Sequence, residues 1–252
     1  MIPTKFFIIL MLFFLPVIVN AQSIGFGCLG FVGGYGGFTY QQYDPKGLNN
    51  YIQYFNTFHT DSLSSPMNKF GKAEGYRFGI NFFRAELKGF VITTKGFYQH
   101  LSEDNQTSFN KLSSNSSANY QLDLVNWGLG LDLGVSITKG LSWKVIDAAF
   151  TYNTATFTNT INLPGPTTII KKYENESPEV GYSIGTGFIL SLIDQYASIE
   201  GYVGYSQITI NKMKSDTGSD LTVNENSNQV MTNFISGGGI STTVQLNVGF
   251  PL

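Results

Sequence analysis

The sequence predicts an all-β fold, an eight-stranded antiparallel up-and-down transmembrane β-barrel. Three observations lead there: a two-residue alternation of apolar and small polar side chains, connections that run long and short in turn, and a composition poor in charge. Over residues 240–252, Ile240, Thr242, Val244, Leu246, Val248, Phe250 and Leu252 share one parity, and Ser241, Thr243, Gln245, Asn247 and Gly249 share the other. A period of two is a strand, because successive side chains of a pleated chain leave opposite faces. Charged residues make up 13% of the chain, against about 25% in an ordinary soluble domain. Aromatics reach 15% and glycines number 28, and no long apolar stretch follows the first twenty residues. That balance suits strands in lipid.

Strands are expected at 24–43, 74–85, 89–103, 118–137, 142–160, 177–192, 196–211 and 239–252. The fourth repeats the pattern of the last: Val125, Trp127, Leu129, Leu131, Leu133, Val135 and Ile137 oppose Asn126, Gly128, Gly130, Asp132, Gly134 and Ser136. The sixth does the same, with Ile189 the one apolar residue on its polar face. Between them, the short turns 86–88, 138–141 and 193–195 alternate with the long connections 44–73, 104–117, 161–176 and 212–238. Tight turns at one end and long loops at the other are the layout of a bacterial outer-membrane barrel. In the first long connection Leu48, Tyr51, Ile52 and Phe55 follow helical spacing, which predicts a short amphipathic helix over the rim.

Residues 1–21 read as a signal peptide: Lys5 is the basic n-region, 6–19 the apolar run, and Val19-Asn20-Ala21 the cleavage site. The run is short against the ~20 residues of a membrane-spanning helix, and Pro16 interrupts it. Residues 22–252 then form one barrel domain. Cleavage removes Lys5 and leaves fourteen basic against seventeen acidic residues, a net charge of −3. The strongest basic run is Lys171-Lys172, so nucleic acid is not an expected partner. Cys28 is the only cysteine, which excludes an internal disulfide.

Two architectures compete for this alternation. A soluble ligand-binding barrel turns its apolar face inward and covers its outside with Lys and Glu. Here the polar faces are mostly Gly, Ser, Thr and Asn, small residues that fit the crowded lumen of eight strands. The apolar face is therefore assigned to lipid. Tyr76, Trp127, Tyr182 and Tyr205 fall towards the long connections, and Trp143, Tyr196 and Phe250 towards the tight turns, as two aromatic girdles would. By parity Arg77, Asp132, Asp147, Glu179 and Glu200 point inward, with Lys95 a further candidate. They predict a charge network in which Arg77 and Lys95 bridge carboxylates and plug the lumen, since unpaired buried charge is costly. Asp147 shares parity with Trp143, so both placements hold only if a bulge separates them.

No reaction is predicted. His59 lies near Asp61 and Ser62, and His100 near Glu103 and Asp104, but Ser- and Asp-rich loops supply such neighbours by chance. No Gly-x-Ser-x-Gly elbow or His-Glu-x-x-His site is present. Gly25-Phe-Gly27-Cys-Leu-Gly30 has the letters of a dinucleotide loop but sits in a glycine-rich strand, and Asp216, Asp220 and Glu225 lack calcium-loop spacing. No cofactor is called for.

The signal ending Val19-Asn20-Ala21 before Gln22, the run Gly75-Tyr-Arg-Phe-Gly79 and the closing Leu246-Asn-Val-Gly-Phe-Pro-Leu252 together resemble the small outer-membrane barrels of the OmpA and OmpX kind. They are most similar to the outer membrane protein beta-barrel domain proteins of Bacteroidota. The resemblance implies residence in the bacterial outer membrane, lipid as the surrounding partner, and insertion by the outer-membrane assembly machinery through Val248, Phe250 and Leu252. The chain departs from the usual terminal aromatic, because Pro251 and Leu252 follow Phe250. A structural or surface-interaction role, adhesion or binding of an extracellular ligand, is the implied function; the alternative is a narrow channel for ions or small solutes.

Overall fold

A computed structural model describes residues 33–110, 116–193, 196–224 and 226–249, with the side chains of 85–87 left aside. The expected signal peptide, Cys28, Phe250 and Leu252 lie outside these residues. In chain order the elements are β1 (Gly33–Asp44), α1 (Lys46–Phe58), β2 (Lys72–Leu87), β3 (Phe90–Ser108), β4 (Ser117–Thr138) and β5 (Leu141–Asn162). There follow β6 (Thr168–Asn175), β7 (Glu179–Ile193), β8 (Ala197–Gln207), β9 (Met213–Ser215) and β10 (Gly237–Val248).

Each of the eight expected strands has its counterpart, and they close a ring. The order β1-β2-β3-β4-β5-β7-β8-β10 returns to β1 through Tyr35↔Asn247 and its neighbours, with every pairing antiparallel. Closure removes the free edges that an open sheet would leave in lipid. The β2–β3 turn is Lys88-Gly89, both residues at positive φ (50° and 85°), the backbone a two-residue hairpin favours.

Two of the expected long connections contain strand. Residues 168–175 form β6, which pairs with β5 from Thr156 to Asn162, above the point where β7 leaves it at Asn153. β9 then pairs with β6. The wall of the barrel therefore continues beyond the eight-stranded ring on its long-connection side. β6 escapes detection by alternation because its residues are exposed almost without interruption on both faces. The expected strand 196–211 ends at Gln207, and Ile208 and Ile210 turn inward as buried residues.

Two bulges reset the alternation. On β2 the register shifts between Asn81 and Phe83, so that Phe82 and Phe83 are both exposed. On β5 it shifts between Lys144 and Asp147, and Val145 and Ile146 are both exposed. Residues on either side of such a bulge keep a common face although their numbering has changed parity.

The longest strands also change character along their length. On β4 the even-numbered residues from Ala118 to Gly134 face inward. Below Asn126 they are small or charged, and their outward neighbours Trp127, Leu129, Leu131 and Leu133 are exposed. Above it the inward residues are Ala118, Tyr120, Leu122 and Leu124, all buried, and beyond Val125 the outward ones include Asn119, Gln121 and Asp123. β5 inverts likewise: exposed Phe150 and Tyr152 give way to outward Thr154, Thr156, Thr158 and Thr160. From Trp127 to Ile137 the chain runs about 33 Å at ~3.3 Å per residue, or about 25 Å of height at a tilt of ~40°. That height matches the hydrocarbon belt of a transmembrane barrel.

Candidate functional site

Inside the belt the ring is filled by paired charge. Lys95 Nζ lies 2.7 Å from Asp132 Oδ1 and 2.7 Å from Asp147 Oδ2. Lys144 Nζ lies 2.8 Å from the same Asp147 oxygen, 3.2 Å from Glu200 Oε2 and 3.8 Å from Asp132 Oδ2. Arg84 pairs with Glu200 Oε1 through Nη2 and donates from Nε to Thr93 Oγ1 at 3.1 Å. Gln245 Nε2 donates to Glu200 Oε2 at 3.3 Å. All of these side chains are buried. Three cations thus meet three carboxylates contributed by β2, β3, β4, β5 and β8. Charge can be taken out of water here because each group has an opposite partner within reach.

Arg77 points inward and is buried as its parity predicts, but it does not bridge carboxylates as the expected network required. Its Nε and Nη2 donate to Gln99 Oε1 at 2.9 and 2.6 Å, and its guanidinium lies 4.3 Å from the centre of the Phe97 ring. Gln99 in turn donates to Gln41 Oε1 at 3.2 Å. Arg77 therefore sits a level above the carboxylates, held by an amide and an aromatic face. Glu179 is a second correction. It opens β7 at the mouth, half-exposed, and accepts the backbone N–H of Asn211 at 2.6 Å. Parity assigns a face of the sheet but not a height along it, and both residues are displaced in height. Lys95, Asp132, Asp147 and Glu200 meet in one cluster.

Sequence parity missed Arg84 and Lys144. Each lies next to a bulge, and the signal is legible afterwards: Phe82-Phe83 and Val145-Ile146 are adjacent large apolar residues in otherwise alternating strands. The β5 bulge also reconciles exposed Trp143 with buried Asp147.

Above the charges an apolar cap fills the mouth. Leu48, Tyr51, Ile52 and Phe55 of α1 are buried against Leu101, Tyr120, Leu122, Leu124 and Phe157 of the wall. Ile208, Ile210, Met231 and Phe234 belong to the same cluster. Aromatic rings knit it: Phe55–Tyr120 centroids are 5.3 Å apart, Tyr120–Phe157 5.6 Å and Phe157–Phe234 5.7 Å. Two asparagines tie the helix down. Asn49 exchanges a pair of hydrogen bonds with the backbone of Phe70 (2.9 and 2.8 Å), and Asn56 does so with Met67 (2.9 and 2.8 Å). The Glu103 carboxylate accepts from Tyr43 Oη, Gly71 N and Lys72 N, fixing the return to β2.

The two histidines stand apart. His59 is packed among the rings of Phe55, Phe58 and Phe109 at 4.8, 5.0 and 5.7 Å. His100 is on the outer surface, its Nε2 3.7 Å from Asp123 Oδ1 and its ring 5.2 Å from that of Tyr76. Among the described residues no group of three or more His, Cys, Asp or Glu side chains is placed to hold a metal ion. Tyr76, Trp127, Trp143, Tyr182, Tyr196 and Tyr205 are outward, 40–61% exposed. Val248 ends β10 with its side chain exposed.

No family model matches the chain, and no curated protein matches it in sequence. Solved structures do. The outer membrane protease OmpT of Escherichia coli aligns over 92% of this chain and 99% of its own at 8% identity and a TM-score of 0.43. Neisserial surface protein A aligns over 88% and 97% at 11% identity and 0.39. A major outer membrane protein of Thermus thermophilus aligns over 86% and 99% at 10% identity and 0.41. The fold assignment rests on the closed ring and its apolar belt.

Proposed function

We propose that this chain is an integral protein of the bacterial outer membrane, with a lumen closed at two levels and a structural or surface-interaction role. The observation that carries the reading is the stacking of two different seals: a charge-balanced cluster at membrane height and an apolar cap above it. A solute crossing the lumen would have to separate Lys95 and Lys144 from Asp132, Asp147 and Glu200, and also displace α1. The wall built by β3, β4, β5, β6 and β9 rises past the belt and offers its surface to extracellular ligands. The belt takes membrane lipid as its partner, and insertion by the assembly machinery is read from the last strand, including Val248. The reading assigns no reaction to the chain.

Planar-bilayer recording of the purified protein tests it. The expected result is no steady conductance above that of bare lipid. A stable ohmic current in the wild-type protein would replace this reading by a narrow channel.

A further inference from the structure

Arg77 is left without a counter-charge. Among the described residues the buried cations are Arg77, Arg84, Lys95 and Lys144, and the buried carboxylates are Asp132, Asp147 and Glu200. The three carboxylates are taken by the other three cations, and Arg77 forms no ion pair. Glu103, the next acidic side chain up β3, is engaged by Tyr43, Gly71 and Lys72. The partners of Arg77 are an amide and a ring, both neutral, and its Nη1 donates to no described residue. A lone charge in such a place is costly unless an opposite charge joins it.

The lumen around Arg77 has both donors and space. In the ladder Gln99 stands beside Arg77, Asn126 beside Gln99, Asn153 beside Asn126, and Gln41 beside Ser241. Gln41 Nε2, Asn153 Nδ2 and Ser241 Oγ are buried and have no hydrogen-bond partner among the described residues. One inward step above Lys95 and Glu200 stand Phe97 and Tyr202, with Tyr35 and Ser183 at the same level. These four and Arg77 keep 5–8% of their surface, whereas Asp132, Glu200 and Lys144 below and Leu101, Leu124 and Tyr120 above keep 0–2%. Inside a lumen closed at both levels, that residual surface marks an internal space.

We propose that Arg77 holds one small monovalent anion, a halide such as chloride, between the charge cluster and the apolar cap. The surplus of one positive charge sets its valence, and the two seals limit its size. Water could satisfy the neutral amides and hydroxyls but would leave the charge uncompensated; an anion on the guanidinium does both. The site uses the closed lumen of the reading above.

Bromide is the probe. Folding of each preparation is checked first by the faster gel mobility of an unboiled barrel. Wild-type protein refolded from urea and crystallised in sodium bromide should give an anomalous bromine peak beside the Arg77 guanidinium, lost in Arg77→Gln. The urea midpoint of the wild type should rise with the logarithm of halide concentration. At equal ionic strength it should be lower in sodium gluconate, whose anion is too large for the space. Arg77→Gln removes the charge, so its midpoint should be the same in chloride, bromide and gluconate. Arg77→Lys keeps the charge without the fork and should need several-fold more halide for the same shift; it serves if Arg77→Gln does not fold. Equal wild-type midpoints in halide and gluconate, with no peak at Arg77, overturn the site. A halide dependence unchanged in Arg77→Gln, or a bromine peak only elsewhere, is an adventitious ion only and overturns it too. A steady wild-type conductance overturns the closed lumen, and the peak at Arg77 decides the site separately.

Discussion

Lys144 and Asp147 are three residues apart on one strand, yet both point into the lumen and their charged atoms lie 2.8 Å apart. In a regular strand residues three apart face opposite ways. The bulge at Val145 and Ile146 turns them to the same side and supplies the cation that joins Glu200 to Asp147. A local irregularity of β5 is therefore what completes the charge balance.

Replacing Lys144 by Met should destabilise the barrel by about 3–5 kcal/mol, because Asp147 and Glu200 stay buried with a partner removed. The midpoint of urea unfolding, followed by loss of the unboiled gel band, measures this. The double variant Lys144→Met, Glu200→Gln should recover part of the loss, and an unchanged midpoint in the single variant would contradict the pairing.

The bulge itself can be tested. Val145 and Ile146 together oppose Thr186, so deleting Val145 leaves Lys144 and Asp147 inward with one residue between them. The shortened protein should still give the faster unboiled band. Inserting one residue at the same place also restores an even spacing, but it slides one flank of β5 by two residues against β4 and β7, which separates Asp147 from Asp132 and Lys95 in height and should weaken the unboiled band.

In the cap, Phe157→Ala should cost about 3–5 kcal/mol, the usual effect of removing a fully buried ring. Limited proteolysis between residues 58 and 70 should accelerate as α1 loosens, while the membrane-level ring stays resistant.

On the lipid face, Leu131→Arg should destabilise the barrel by about 2–4 kcal/mol in lipid vesicles, the cost of an arginine near mid-membrane. The same substitution at Thr156, above the belt, should be nearly neutral. Refolding titrations into vesicles compare the two.

Lys214 lies 2.9 Å from Glu176 in the long connections and holds its carboxyl below the ordinary range. The contact is present above that range and is lost as pH falls through the lowered value. Glu176 is largely exposed and Lys214 partly so, and a screened surface pair contributes little, so Glu176→Gln should leave the unfolding midpoint nearly unchanged at neutral pH.

The ring and α1 were legible because their residues alternate or recur at fixed spacing. Val125 to Ile137 could be phased without any structure, as could Leu48, Tyr51, Ile52 and Phe55. β6 was not, since Thr168 to Lys172 present exposed side chains on both faces and leave no period to read. In the lumen, Asp132 and Glu200 follow simple parity, whereas Arg84 and Lys144 lie beside bulges whose sequence mark is a pair of adjacent apolar residues and whose position the ladder fixes. Arg77 and Glu179 required height as well as face, and height depends on strand tilt and stagger.

The inversion of faces on β4 and β5 has a mechanical consequence. A barrel that is greasy along its whole outside could drift along the membrane normal at little cost. Here sinking by two residues would drag Asp123 and Thr154 into oil, and rising by as much would lift Trp127 and Tyr152 into water. The wall carries its own waterline, and the depth at which the protein floats is written into the same residues that fold it.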